Sequence, residues 1–291
     1  MAGTIIKGSN FFHTTLYEGN GIGQRVGRFV PFTDSVSIGK SLIFNRNSNG
    51  HQDRPGDAPY LTRTVSSAGD RRKFTLSFWF KHGVISTPET AASGSGYQIG
   101  QPLIGIRPSS GVAYWSVQIF SEGDGGTADR AIGVQALDSA GSHACSKYMG
   151  NFAMGDTTKW YHVVTAVDTT QSTASDRVKI YVDGQDLDEI SSATYSNFDG
   201  GQSVELSTNA SGSEISLGGK TSNYYFDGYM AEVNFIDGTV YDASKFGQTD
   251  TSTGRWIPKA ISSVTYGTNG FRCEFANTAG QTLGHDTSGN G

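Results

Sequence analysis

Three blocks in the second half of the chain most limit what it can fold into. They are Lys159-Trp160-Tyr161-His162-Val163-Val164, Arg177-Val178-Lys179-Ile180-Tyr181-Val182-Asp183-Gly184 and Tyr225-Phe226-Asp227-Gly228-Tyr229-Met230-Ala231-Glu232-Val233. Each alternates apolar and polar residues and is rich in β-branched and aromatic side chains, the pattern of a pleated strand with a face on a core. Two carry an Asp-Gly pair suited to a tight turn.

The cleanest strand lies earlier, over Lys73–Lys81. Phe74, Leu76, Phe78 and Phe80 share one face, and Thr75, Ser77, Trp79 and Lys81 share the other, because side chains alternate along a strand. Trp79 makes the second face partly apolar, so this strand belongs inside a sandwich. Further strands are expected at Ser41–Asn45, Pro59–Arg63, 101–107, 112–120, 131–138, 159–168, 177–183, 214–218 and 225–236. Tyr266–Phe275 reads as a hairpin about Asn269-Gly270, a pair that fits a type I′ turn. Asp242–Phe246 reads as a single helical turn, capped by Asp242 and stopped at Gly247. The stretches 84–98, 121–126, 139–157 and 191–213 read as loops. No helical pattern of ten residues occurs. Short strands at close intervals, joined by turn residues, predict an all-β fold: a two-sheet antiparallel β-sandwich of jelly-roll type.

Composition agrees with that class and excludes others. The 291 residues include 39 glycines, only 7 prolines and 11% aromatics, so the chain is turn-rich yet able to build a core. Its net charge is −5. Arg71-Arg72-Lys73 is the one basic run, too little for the concentrated positive surface that nucleic-acid binding needs. No apolar run reaches the roughly 18–20 residues needed to cross a bilayer as a helix. Met1–Asn10 lacks the basic start and apolar core of a secretory leader, so synthesis in a cytoplasm is expected. Cys145 and Cys273 are read as separate reduced thiols.

Residues 1–40 differ from the rest. Phe11-Phe12, Tyr17, Phe29 and Phe32 stand there without periodicity, and Gly19, Gly21, Gly23 and Gly27 interrupt any helix. This reads as an extended arm whose aromatics pack back on the sandwich or dock on a partner.

Taken in order, several stretches resemble the concanavalin A-like, laminin-G-like domains of structural proteins of tailed bacteriophages, marine ones especially. They are Ser41-Leu42-Ile43-Phe44-Asn45, Tyr60–Thr64, Ser66–Arg72, Phe74–Lys81, Trp160–Val164, Arg177–Gly184, Phe226–Gly238 and Tyr266–Phe271. The resemblance covers about residues 41–291, read as the jelly-roll domain that follows the arm. It implies structural, adhesive or sugar-binding duties on a virion, either as head decoration or as a tail-fibre-type adhesin. It also implies attachment to other virion proteins through the arm, homo-oligomers, and host surface glycans as the outside partner. The ending Asp286-Thr287-Ser288-Gly289-Asn290-Gly291 resembles the middle of a motif that continues in such proteins. Fold alone does not carry function.

Trp79 and Trp160 lie in strand patterns and are expected in the core. Tyr97, Tyr114, Trp115, Tyr224 and Tyr225 are the candidates for exposed platforms on which sugar rings stack. Asp183-Gly184, Asp227-Gly228 and Asp237-Gly238, with Asp124 and Asp129, offer the hard oxygens that calcium takes, but they are read as turn and loop residues, and no cofactor is expected. A glycan-cleaving site needs two facing carboxylates. The nearest approach is Asp186-Leu187-Asp188-Glu189, which lacks the Glu-x-Asp-x-x-Glu spacing of jelly-roll glycanases. No nucleophile elbow, phosphate loop or zinc helix occurs, so the chain is read as non-enzymatic.

Overall fold

The computed structural model describes residues 38–44, 59–83, 100–107, 115–120, 131–138, 143–148, 154, 156–189, 201–206, 208–221, 224–276 and 282–290. Most of the expected arm, residues 1–37, lies outside them, and the account below concerns the unit Ile38–Gly291. Its strands are β1 (Leu42–Phe44), β2 (Leu61–Thr64), β3 (Lys73–His82), β4 (Gly100–Arg107), β5 (Trp115–Phe120), β6 (Ala131–Leu137), β7 (His143–Tyr148), β8 (Tyr161–Asp168) and β9 (Val178–Val182). There follow β10 (Gln185–Asp186), β11 (Glu214–Leu217), β12 (Gly219–Thr221), β13 (Tyr224–Tyr225), β14 (Gly228–Asp237), β15 (Gly247–Thr249), β16 (Trp256–Pro258) and β17 (Phe271–Cys273).

Most of them form a two-sheet antiparallel sandwich, and β12-β13 and β15-β16 are separate pairs. The first sheet runs β1-β14-β3-β8-β9-β10, with β17 also on β14, and the second runs β2-β11-β4-β5-β6-β7. The inner faces meet in one core. Phe74, Leu76, Phe78 and Phe80 from β3 pack there with Val163 and Val167 from β8, and with Ile104, Val117 and Val134 from the opposite sheet. The period-two reading of β3 is therefore borne out.

The first sheet is also buried on part of its other face. Segment 239–266 lies across it, and Val164, Ile236, Ala243 and Phe246 form a second, smaller core with Tyr181, Tyr241 and Trp256 packed around it. This is why β8 is buried at every position and reads as an apolar run instead of a clean alternation. Thr75, outward on β3, accepts from Tyr241 N–H at 2.8 Å and donates to Thr239 O at 2.9 Å, tying the segment down. Within the segment, Asp242 caps a single turn over Ala243–Lys245 by accepting from Ser244 N–H, as its sequence predicts.

Between Ala231 and Asn234 the register of β14 on β3 shifts, and Glu232 sits there at φ 50°. The bulge is where β14 exchanges edge partners: residues 228–230 pair with β1, and 233–235 pair with β17. Bulges commonly end a pairing in this way.

Two expectations are corrected. Residues 143–148, read as loop, are strand β7; its small and polar letters gave no apolar period, yet Ala144 and Cys145 are fully buried. The Asn269-Gly270 hairpin does not form. A type I′ turn needs left-handed backbone at both central residues, and Asn269 does not adopt it; β17 pairs with β14 instead. The type I′ turn is at Asp183-Gly184, with φ values of 49° and 82°, between β9 and β10. The cysteines match their reading: both are buried, in β7 and β17 of different sheets, and form no disulfide.

Candidate functional site

The cover over the first sheet ends at an aromatic stack. His162 lies between Trp79, at a ring distance of 4.6 Å, and Trp256, at 6.1 Å. Beyond it the same sheet face carries side chains that are only partly buried. Strand pairing places Ile43 opposite Tyr229 and Tyr229 opposite Lys81. Phe80 pairs with Tyr161, so the next outward position beside Lys81 is Trp160. Ile43, Tyr229, Lys81 and Trp160 thus form a row across four neighbouring chains, roughly 14 Å long at the usual strand spacing.

Ile43 is 43% exposed, and the other three are half-buried. The Tyr229 and Trp160 rings lean toward each other across β3, with centroids 6.4 Å apart and planes tilted by 57°. Lys81 lies on the strand between them and has no carboxylate partner among the described residues. Next to Trp160, Lys159 Nζ is committed to Asp183 Oδ2 at 2.7 Å and lies over the Tyr161 ring. The row therefore offers two apolar ring faces and one cation without a carboxylate partner among the described residues. Aromatic faces bind the apolar sides of ring-shaped ligands, and the phenol and indole N–H keep a polar handle.

The residues expected to serve as platforms fare differently. Trp115 is fully buried and packs edge-on against Phe74 at 5.3 Å; strand pairing on β4 and β6 turns it into the core, so it is no platform. Tyr97 and Tyr114 lie outside the described residues, as do Asp124 and Asp129. Tyr224 and Tyr225 form β13, paired with β12, but their side chains lie outside the description. Trp160, expected in the core, precedes β8 and points to this partly exposed face. Sequence reasoning missed Tyr229 and misplaced Trp160. Counting in twos from Trp79 and His162 would have grouped Trp160 and Lys81 on one face, but the unbroken apolar run of β8 hides which face is which.

Two arrangements that resemble catalytic groups, Ser77 with His162 and Asp188 with its neighbours, are engaged within the fold. Ser77 Oγ lies 3.0 Å from His162 Nε2, which resembles a nucleophile–base pair. Both residues are sealed from solvent. Trp256 donates its indole N–H to His162 Nδ1 at 3.0 Å; an indole can only donate, so Nδ1 is the acceptor and the ring proton sits on Nε2. His162 therefore donates to Ser77 and cannot take its proton. Burial drives its pKa down to about 3.

Asp188 is likewise engaged. Lys147 Nζ reaches its Oδ1 at 2.6 Å, and Lys179 Nζ reaches its Oδ2 at 3.0 Å. Desolvation raises the Asp188 pKa, but the two lysines outweigh it and hold the carboxyl below its ordinary value. A glycosidase acid needs the opposite shift. Asp186 lies 3.4 Å from Lys179. Among the described residues no three metal-ligating side chains cluster for a cation.

A second concavity of about 320 Å³ opens between the sheet edges, lined by Leu61, Ile215, Leu217, Phe271, Leu283 and Asp286 among others. Its charges are satisfied internally: Arg63 bonds Asp286 at 2.8 Å and lies over the Phe271 ring.

No known family profile and no curated protein matches the chain. Solved structures with a similar sandwich include a heptameric SAP-like pentraxin from Limulus polyphemus, at 14% identity over 71% of this chain and 80% of that one, TM-score 0.42. Another is domain 4 of the extracellular arabinanase AbnA from Geobacillus stearothermophilus, in complex with arabinotriose, at 14% identity over 72% and 76%, TM-score 0.42. A third is tailspike protein 2 of a bacteriophage of Escherichia coli O157:H7, at 11% identity over 64% of this chain and 22% of that one, TM-score 0.39. At these values the likeness says nothing about ligand or partner.

Proposed function

We propose that this chain is a non-catalytic, glycan-binding module displayed on a phage particle, which contacts host surface sugars through the partly exposed face of its first sheet. The observation that carries the reading is the row Ile43, Tyr229, Lys81 and Trp160, with two tilted rings left partly exposed where the neighbouring half of the same face is roofed. A sheet packed on the core along its inner face holds these side chains at strand spacing, so little order has to be imposed when a ligand binds. The sealed Ser77–His162 pair and the engaged Asp186 and Asp188 fit a module that binds without cleaving.

The placement on a virion rests on the ordered sequence resemblance over residues 41–291. In this reading residues 1–40 join the domain to other virion proteins or to a sister copy. A glycan array probed with the full chain tests the binding, alongside Trp160→Ala and Tyr229→Ala. The expected result is binding to a defined set of host glycans that both substitutions reduce at least tenfold, each removing one stacked ring. Absence of binding to any glycan, or binding indifferent to both substitutions, overturns the reading. Copy number per particle separates the two virion placements, because a decoration covers the head in many copies and a tail appendage is present in few.

A further inference from the structure

We infer that the sugar this face selects is acidic, and that Lys81 recognises its carboxylate or sulfate; the inference rests on the glycan-binding reading above. The other half-buried or buried lysines and arginines described in this domain are engaged. Lys147 and Lys179 hold Asp188, Lys73 holds Asp168, Arg63 holds Asp286, Arg71 holds Glu205 and Arg272 holds Glu232, while Arg177 and Lys245 donate to backbone carbonyls. Lys81 is half-buried in the middle of a sheet and has no such partner among the described residues.

Its position sharpens the argument. The neighbours on both sides are rings, Tyr229 by strand pairing and Trp160 on the flanking chain. Neither ring offers the lysine an anion, and the side chain is half-buried. A cation in a partly dry setting gains more from an anionic ligand than one in bulk water does. Stacking on a ring sets the height of a sugar over the sheet, and an ammonium beside the ring then reads a charged substituent at the sugar's edge. A neutral sugar stacked there leaves the lysine as it was, so the charge discriminates while the rings supply binding common to both.

Calorimetric titration of the full chain tests this with three matched pairs: oligogalacturonate against its methyl ester, sialyllactose against its methyl ester, and a sulfated galactan oligosaccharide against its desulfated form. Each pair differs in the charged group, and the three distinguish uronate, sialate and sulfate as the source. The acidic member of at least one pair is expected to bind about tenfold more tightly, the scale of one charge-assisted contact. That advantage should shrink as salt is raised, vanish in Lys81→Met, and survive in Lys81→Arg. Trp160→Ala should weaken both members of the pair.

Equal binding of acidic and neutral members overturns the inference and leaves the glycan-binding reading standing. An acidic preference that persists in Lys81→Met also overturns it. Failure of all six probes and of the array overturns both readings. An unchanged unfolding midpoint in Lys81→Met shows that a lost preference is not lost structure, and Lys81→Gln serves as the second neutral variant if the first is destabilised.

Discussion

Trp256 donates its indole N–H to Nδ1 of His162 at 3.0 Å, and this bond fixes the tautomer of a fully buried histidine and helps anchor the segment roofing the first sheet. A protonated ring would set N–H against N–H at that contact. Burial holds the folded pKa at about 3, against an ordinary 6.5. The unfolded chain therefore binds one more proton between those values, and stability must rise with pH across that window. Above pH 6.5 the contribution is complete. Below it, stability should fall by up to about 1.4 kcal/mol per pH unit as pH drops toward 3. Urea unfolding of the wild-type chain and of His162→Gln at a series of pH values checks this. The variant should lose the part of the slope between pH 6.5 and about 4.5, where carboxylates contribute little. Identical slopes in the two proteins would refute the assignment.

Lys147 and Asp188 join the second sheet to the first at the β7 and β10 edges, 2.6 Å apart, and Lys147 also donates to Val178 O at 2.8 Å. Lys147 is nearly sealed from solvent. Removing one member of such a pair strands the other charge, whereas removing both restores balance. Asp188→Leu or Lys147→Met alone should cost about 3 kcal/mol, and the double variant should recover most of that loss in the same unfolding assay. Additive losses would mean that the two side chains act independently.

How much of this could be read from sequence depends on whether a strand's neighbours differ on its two faces. β3 alternates Phe with smaller or polar residues, so its inner face was legible, and Asp242 and Ser244 announced their cap by chemistry local to one turn. The site was not legible. Trp79 and Trp160 lie on the same outer face, yet Trp79 is buried, stacked on the His162 that Trp256 and Phe246 pack against, while Trp160 is half-buried. The partners of His162 come from a segment distant in the chain, and no local period reports it. Trp115 failed as a platform for the related reason that an aromatic beside a glycine-rich stretch looks exposed until its strand is paired on both sides. Asn269-Gly270 carries a turn signature, but its amide is claimed by a distant carboxylate's partners.

That carboxylate is Asp237, buried where β14 ends. Its Oδ1 accepts from Asp70 N–H at 2.8 Å and from Asn209 Nδ2 at 2.6 Å, and its Oδ2 accepts from Asn269 N–H at 3.1 Å. Asn269 Nδ2 in turn donates to Asn209 Oδ1 at 2.8 Å. All three groups facing Asp237 are donors, so an amide of the same shape would turn its own NH₂ against at least one of them. Asp237→Asn should therefore be nearly as damaging as Asp237→Ala, each costing about 3 kcal/mol for buried donors left unmet. Chemical denaturation of both variants measures this, and a wild-type midpoint for Asp237→Asn would disprove the donor-only reading.

Gly184 combines two demands whose separation is itself a test. Its φ of 82° belongs to the second central position of the β9–β10 turn, where a Cβ is costly. A Cβ there would also fall 2.5 Å from the six-membered ring of Trp256. Gly184→Ala must pay the backbone cost and also push aside the ring that holds His162. In the wild-type background the loss should be about 3 kcal/mol, with a shift in tryptophan fluorescence as the indole moves from its packed position. In a Trp256→Ala background the ring is gone and only the backbone part remains, about 1–2 kcal/mol. The coupling between the two changes thus measures how tightly the roof is seated on the sheet. Equal losses for Gly184→Ala in both backgrounds would show that the turn alone requires the glycine and that Trp256 is free to yield.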